Sequence, residues 1–537
     1  MPSNKYRAHI QSGDIEMGGK LFKAILGVGL AVFLGPAGLG FLTAGQAVLF
    51  GISALGSAFL GDMMGKKDSK QDDPGFLVNK QSTQEPIYVI YGERNIGGHR
   101  IFLDTTEAGG NPEGTQYLHM AFAFAEGEIE AVKAMRFNDK LAYINPSYSS
   151  DFATEISDHS ITFNATTGIV DRWREKDVPS DYDAENDLDF TGTLAMAYWL
   201  GDDDQYFESP DYKTADGTSI AADMSWAHDD WYAGTTDGDS TRRGRGIAWS
   251  YMRLKYDRKL YPNAPRVQFE VKGRKVIDVS NPSAAPAFSN NPADCIADYI
   301  SNKRFGKGLT AANTLDIGTG SSFAAYRQYC IDKGITFNGA VNTNNTVFDN
   351  VQEMMISGNA FMNYSNGVYK INPIHSLDHT GAHTFTKDNI LGQVNIELGN
   401  KRGMSNIAKG TYFDKEKGYQ QDTVVVPKFD ETNQYLIDDN NTVNEKTFNL
   451  AFIDNETTAE KLTRFQLDNS RYLTTMVFRT TWAASNLEVG DPVYVTYDRY
   501  GYTNKKFRLV GQALQQDGTV QVTLVEYPTA DIWIADV

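Results

Sequence analysis

His375, His379 and His383 lie four residues apart, with Asp378 beside His379. On a continuous helix that spacing would stack three imidazoles on one face, where they could hold a metal ion. The segment HSLDHTGAH follows Asn372-Pro373 and contains Gly381, so a loop is expected there and no metal site is assigned. Asp181, Asp183, Glu185, Asp187 and Asp189 alternate as the oxygen ligands of a calcium loop do. However, the sixth position is Asn186 rather than Gly and the twelfth is Gly192 rather than Glu, which breaks the EF-hand pattern. A solvated acidic face is the expectation instead. Cys295 and Cys330 are too few for a disulfide framework or a zinc site. Both fall on apolar faces of predicted helices, so buried, reduced thiols are expected. No G-x-S-x-G, H-E-x-x-H or P-loop occurs, and among the many carboxylates no pair stands out. The sequence therefore nominates no catalytic, cofactor-binding or metal-binding residue.

The elements around these residues tell more. A chain of 537 residues exceeds one hydrophobic core, so three to five domains are expected. With 28 Tyr, 29 Phe and 48 Gly, the composition favours strands joined by many turns. The net charge is −18, and residues 151–240 alone hold 22 acidic against four basic side chains. That window accounts for the whole imbalance and leaves the rest neutral. A surface that grips phosphates has the opposite sign, so tight nucleic-acid binding is excluded. An acidic wall would still let a polyanion slide past.

Ala24 to Gly61 runs for 38 residues without a charged side chain. Water cannot solvate such a stretch, so a bilayer or a partner must cover it. Pro36 divides the run and nine of its residues are Gly, a composition suited to close helix packing. The run is too long for the apolar part of a cleaved signal peptide. A membrane anchor and a segment sequestered in an assembly both remain open. Asp62 to Pro74 is a charged linker.

From Pro86 onward the pattern is that of strands. Ile87, Val89 and Tyr91 alternate, and Arg100 to Leu103 is expected to pair back across Gly97-Gly98. Tyr117 to Ala125 and Ile129 to Phe137 form the next expected pair, around Glu126-Gly127. Residues 151–240 break the rhythm like an inserted domain. A strand over Ile247 to Tyr256 follows. Val267 to Val271 then turns at Lys272-Gly273 into Val276 to Val279. Asn291-Pro292 caps a helix bearing Cys295, Ile296, Tyr299 and Ile300. Ser321 or Ser322 caps a second helix that ends at Gly334. Phe348, Val351, Met354 and Met355 mark a third, followed by a hairpin at Asn366-Gly367. In the last third, Thr457 and Glu460 have capping-box spacing. Strands are expected over Thr475 to Trp482, Val493 to Tyr497 and Phe507 to Val510, with a hairpin at Asp517-Gly518.

The order of several phrases resembles the tail-tip attachment, or tail hub, proteins of long-tailed bacteriophages, of the phage lambda host-specificity type. PIYVIYGERNIGGHRIF at Pro86 to Phe102 looks like the opening of that family's core. LHMAFAFAEGEIEAV, RGRGIAWSYMRLKYD and VQFEVKGRKVID follow as its next strands. NPADCIADYISNKRFGKGL is the most specific block, with FNGAVNT after it. SNIAKGTYFD and LEVGDPVYV match the last hub domain. The likeness extends over roughly residues 20 to 527.

This resemblance implies a mainly β, multi-domain hub with α+β inserts, two β-barrel hub domains and an apolar N-terminal helical segment. The implied units are an apolar lead and linker over 1–80 and a first barrel from 81–140 plus 241–290. An acidic insert over 141–240, an α+β domain over 291–385 and a second barrel over 386–537 complete the set. It implies a homotrimer in the virion, assembled in the host cytoplasm, that closes the distal end of the tail tube. The implied partners are the distal tail protein, the tape-measure protein and a separate fibre or receptor-binding tip protein. Residues 24–61 would hide in the lumen and meet host membrane during genome ejection. The resemblance implies no cofactor and no site residues. Longer members continue into further modules, whereas this sequence stops at Val537. Two other readings stand beside it: a membrane-anchored adhesin, which shares the apolar lead and β-rich body but predicts a monomer held in lipid, and a tail-associated cell-wall hydrolase, which needs a carboxylate pair in a cleft.

Overall fold

A computed structural model describes residue 79 and residues 86–107, 116–138, 140–143, 162–163, 170–172, 188–189, 194–202, 244–255, 264–310, 314–365, 367–374, 381–399 and 404–527. The apolar run 24–61, most of the acidic window, His375 and His379 lie outside the described residues. Strands predominate, as the composition leads one to expect.

The first barrel region comprises β1 (Val89–Tyr91), β2 (Glu93–Ile96), β3 (His99–Glu107), β4 (Gln116–Glu126), β5 (Ile129–Phe137) and β6 (Lys140–Tyr143). The short β7 (Thr162–Phe163), β8 (Val170–Arg172) and β9 (Leu188–Asp189) follow. After them come β10 (Leu194–Leu200), β11 (Ile247–Lys255), β12 (Val267–Val276) and β13 (Ala287–Phe288). One sheet runs β10-β11-β4-β3; the other runs β13-β12-β5-β6-β9, with β2 also paired to β12. Strand β4 alternates large and small residues, so Met120, Phe122 and Phe124 enter the core between the sheets. There Phe124 stacks on Phe269 with ring centroids 4.5 Å apart.

Three expected hairpins are replaced by longer-range pairing. Strand β3 pairs with β4 as a partner, and β1 pairs instead with the distant β14 (Gly339–Val341). Strands β4 and β5 sit in different sheets, with Gly127 at the corner between them. Strand β12 passes through Lys272-Gly273 without turning, and its end pairs with β13. Gly273 marks a close backbone approach: a Cβ there would lie 2.3 Å from the Ile90 carbonyl oxygen, and its N–H donates to Gly92 O at 2.7 Å. A turn and a close approach both call for glycine, and local sequence cannot tell them apart.

The middle of the chain forms an α+β body. Its helices are α1 (Pro292–Ser301), α2 (Ser322–Lys333) and α3 (Val347–Ser357). Asn291, Ser321 and Thr346 cap them, each accepting from a backbone N–H of the first turn. Gly334 closes α2 in the left-handed conformation, as its position predicts. Strands β15 (Ala360–Ser365) and β16 (Val368–Pro373) form the hairpin around Gly367. Cys295, Tyr299, Phe323, Tyr326, Cys330, Val351 and Met354 fill the core beneath.

The rest comprises β17 (His383–Phe385), β18 (Ile390–Glu397), β19 (Ile407–Asp414), β20 (Gln420–Val426), α4 (Gln434–Asp438), β21 (Glu445–Asn449) and α5 (Glu456–Asn469). It ends in β22 (Thr475–Thr480), a 3-10 turn at Trp482–Asn486, β23 (Pro492–Tyr497), β24 (Tyr502–Leu514) and β25 (Val520–Glu526). The second barrel is a sheet ordered β17-β23-β24-β25-β22-β18. Its two edge strands are joined by the turn 386–389, so the sheet must curl enough to bring Phe385 and Ile390 near each other. The sheet β20-β19-β21 under α5 is inserted between β18 and β22. Its Tyr412, Val424, Leu450, Leu462 and Phe465 join the core of the body. Helix α5 is capped by Asn455, two residues before the expected Thr457–Glu460 box. Strand β22 stops at Thr480, two residues short of Trp482.

Gly273→Ala should lower stability by about 2–4 kcal/mol, because the new methyl meets rigid backbone. Gly418→Ala, at positive φ with open space around it, should cost only about 1 kcal/mol. Thermal unfolding of the two variants checks the contrast.

Candidate functional site

Among the described residues, those that could do chemistry do not converge. Among the described residues no group of three or more His, Cys, Asp and Glu side chains is placed to hold a metal. His383 sits in strand β17, its ring edge-on to Phe385 at 4.6 Å, and burial holds its pKa down. Asp189 lies in β9, paired with Tyr143 of β6, and the other four members of that acidic alternation fall outside the described residues. Cys295 and Cys330 are free thiols in the body core, as their helical positions predict. Burial raises both thiol pKa values, Cys330 to about 12, which keeps them unreactive. Among the described residues no helix is long and apolar enough to cross a membrane.

What the structure does assemble is a set of joints. Strand β1 is shared between two cores: Tyr88 and Ile90 pack into the first barrel, while Val89 and Tyr91 pack into the body. Period-two alternation puts successive side chains on opposite faces, so one short strand serves both. The Tyr91 hydroxyl donates to Asp298 Oδ2 at 2.7 Å, and Arg274 Nε donates to the same oxygen at 2.8 Å. Burial and the Asp298 charge together push the Tyr91 pKa well up, so the phenol stays a donor. Arg304 of the body pairs with Glu126 at the end of β4.

Beside β1, Glu93 receives Lys133 of the first barrel and Lys415 of the β19–β20 turn, each at 2.9 Å. Burial works to raise the Glu93 pKa, but the two ammonium groups outweigh it and hold the carboxyl below its ordinary range. Next to it, Arg94 is buried with its guanidinium 3.7 Å over the Phe413 ring, and burial lowers its pKa to about 10. Sequence reasoning passed over Glu93, Arg94 and Asp298. The available signal was a charged Glu93-Arg94 pair between Gly92 and Gly97-Gly98, in an otherwise apolar stretch.

The surface carries isolated apolar anchors. Ile101 and Leu103 are exposed on the edge strand β3, and Leu391, Trp482 and Leu514 are exposed on the second barrel. Phe429, Ile437 and Val443 are exposed around the β20–β21 connection.

This architecture of joined barrels and surface anchors has counterparts. The chain is 23% identical over 484 residues to the baseplate hub protein pb3 of Escherichia phage T5, covering 82% of this chain and 47% of that protein. The chain thus spans about half the length of this relative. Its fold matches a chain in the virion of a native gene transfer agent particle, at a TM-score of 0.52 and 14% identity over 96% of both chains. In sequence this chain is similar to a phage baseplate hub protein, and in fold to a chain of a virion particle. No protein-family model matches it. The chain places several charged side chains, Glu93, Arg94, Glu126 and Asp298 among them, where one unit meets the next.

Glu93→Gln should destabilise the chain by about 1 kcal/mol at neutral pH. The sign follows from a folded pKa below the unfolded value: the contribution is present above about pH 4.3 and is lost as pH falls through the folded value. Unfolding temperatures of the variant and the parent should therefore converge as the pH is taken down through the folded value.

Proposed function

We propose that the chain is the structural hub of a phage tail tip, located in the virion at the distal end of the tail. The observation that carries this reading is the likeness to a baseplate hub protein over 82% of the chain. The chain forms a homotrimer that closes the tail tube, binds the distal tail protein and receives the end of the tape-measure protein. It passes force and geometry to a separate fibre or receptor-binding tip protein, and so takes part in host attachment and genome ejection. Two barrels per copy supply similar building blocks around the ring, separated by the α+β body.

The role is structural rather than enzymatic. Rigid joints such as the Asp298 and Glu93 clusters suit a protein that must keep its shape under load. The chain's net charge of −18 favours a lumen that lets DNA slide, since like charge prevents phosphate capture. Residues 24–61 shelter inside the assembly and contact host membrane when the genome leaves.

Light scattering of the full chain, with negative-stain images of the same peak, should give three times the monomer mass and a ring-shaped outline. Virions assembled with a chain lacking residues 1–65 should fail in tail assembly or DNA delivery. A monomer in solution together with no signal from a label on the tails of intact virions would overturn the hub reading and favour a surface adhesin.

A further inference from the structure

The two barrels are attached to the body by different physics. The first shares strand β1 with it, so that one segment contributes Tyr88 and Ile90 to one core and Val89 and Tyr91 to the other. Three backbones meet there without room for a Cβ: a methyl on Gly92 would lie 1.8 Å from Phe337 O, and one on Gly273 2.3 Å from Ile90 O. Separating this barrel from the body would expose apolar surface and break the Asp298 and Glu93 clusters together.

The second barrel has a closed core of its own. Phe385, Met476, Phe478, Val493, Phe507 and Leu524 belong to a cluster with no member from the body, and the body core includes no residue of the barrel strands. Its attachment to the body combines an ion pair with a buried ring contact. Lys370 of β16 donates to Glu488 Oε2 at 2.7 Å and to Oε1 at 3.0 Å. Phe361 of β15 lies under the Arg508 guanidinium at 5.3 Å and against Gly490, which has φ +110°. A Cβ on Gly490 would stand 2.9 Å from Phe361 Cζ. Asp491 folds back on this contact, accepting the Glu488 N–H at 2.8 Å. Phe361, the Lys370–Glu488 pair and Gly490 meet at this joint between two separate cores, and interfaces between such units leave relative motion as the default.

We propose that the second barrel is a swivelling unit, pivoting on Phe361 and Gly490 and clasped by Lys370–Glu488, while the first barrel and the body move as one piece. In the hub reading, on which this use of the hinge rests, the swivel lets the ring change its opening without unfolding any core.

Spin-label distance measurements on the full chain test the hinge directly. Labels at Ile101→Cys and Ile331→Cys report on the first barrel and the body; labels at Trp482→Cys and Ile331→Cys report on the second barrel and the body. All three positions are solvent-exposed, at 47%, 53% and 56% for Ile101, Ile331 and Trp482, and the native thiols are buried. The second distance distribution should be at least about twice as wide as the first, and Glu488→Gln should widen it further. Equal narrow distributions in both pairs would overturn the hinge. A wide distribution untouched by Glu488→Gln would overturn the role of the Lys370–Glu488 clasp. The measurement needs no assembly, so its failure is distinct from failure of the hub reading, which the native mass decides.

Discussion

The crossing of β1 over β12 is the constraint on which the first two-thirds of the structure depend. Backbone groups of Ile90, Gly92, Gly273 and Phe337 approach so closely that only glycine fits at two of the four positions. Close packing there lets a three-residue strand seal two cores at once, since its side chains alternate between them. A bulky residue at the crossing would push the barrel and the body apart, and no nearby side chain could fill the gap. The buried Tyr91–Asp298–Arg274 cluster is satisfied only while that approach holds. Its polar groups would otherwise face apolar surroundings unpaired, a cost that makes the geometry sharply defined.

Charge is used in two ways. At the first joint the carboxylates of Glu93, Glu126 and Asp298 are drawn into the protein and held by cations that reach in from nearer the surface, which gives orientation more than net stability. At the second joint the ion pair is nearer to solvent, with side chains 23% and 35% exposed for Lys370 and Glu488. Such a pair contributes little stability and can open at small cost. The same two residue types therefore produce a weld in one place and a clasp in the other. The difference lies in burial and in the apolar contacts around them.

Local signals in the sequence were read reliably where one short segment decides the outcome. The caps at Asn291 and Ser321, the stop at Gly334, the turn around Gly367 and the hairpin at Asp517-Gly518 all depend on residues within one turn of each other. Pairing was read poorly wherever the partner is distant. Strand β1 looks like half of a hairpin until Gly339–Val341, some 250 residues away, supplies its neighbour. Gly273 looks like a turn until the backbone of β1 is laid against it.

By itself the sequence determined the mainly β character, the helices of the body and the buried thiols. These follow from periodicity, capping chemistry and composition, which act over a few residues at a time. Only the tertiary structure decided which strands share a sheet, where Glu93, Arg94 and Asp298 find their partners, and why one barrel is welded and the other clasped. Those outcomes depend on non-local contacts, and a backbone hydrogen bond carries no mark in the sequence of the strand it will meet.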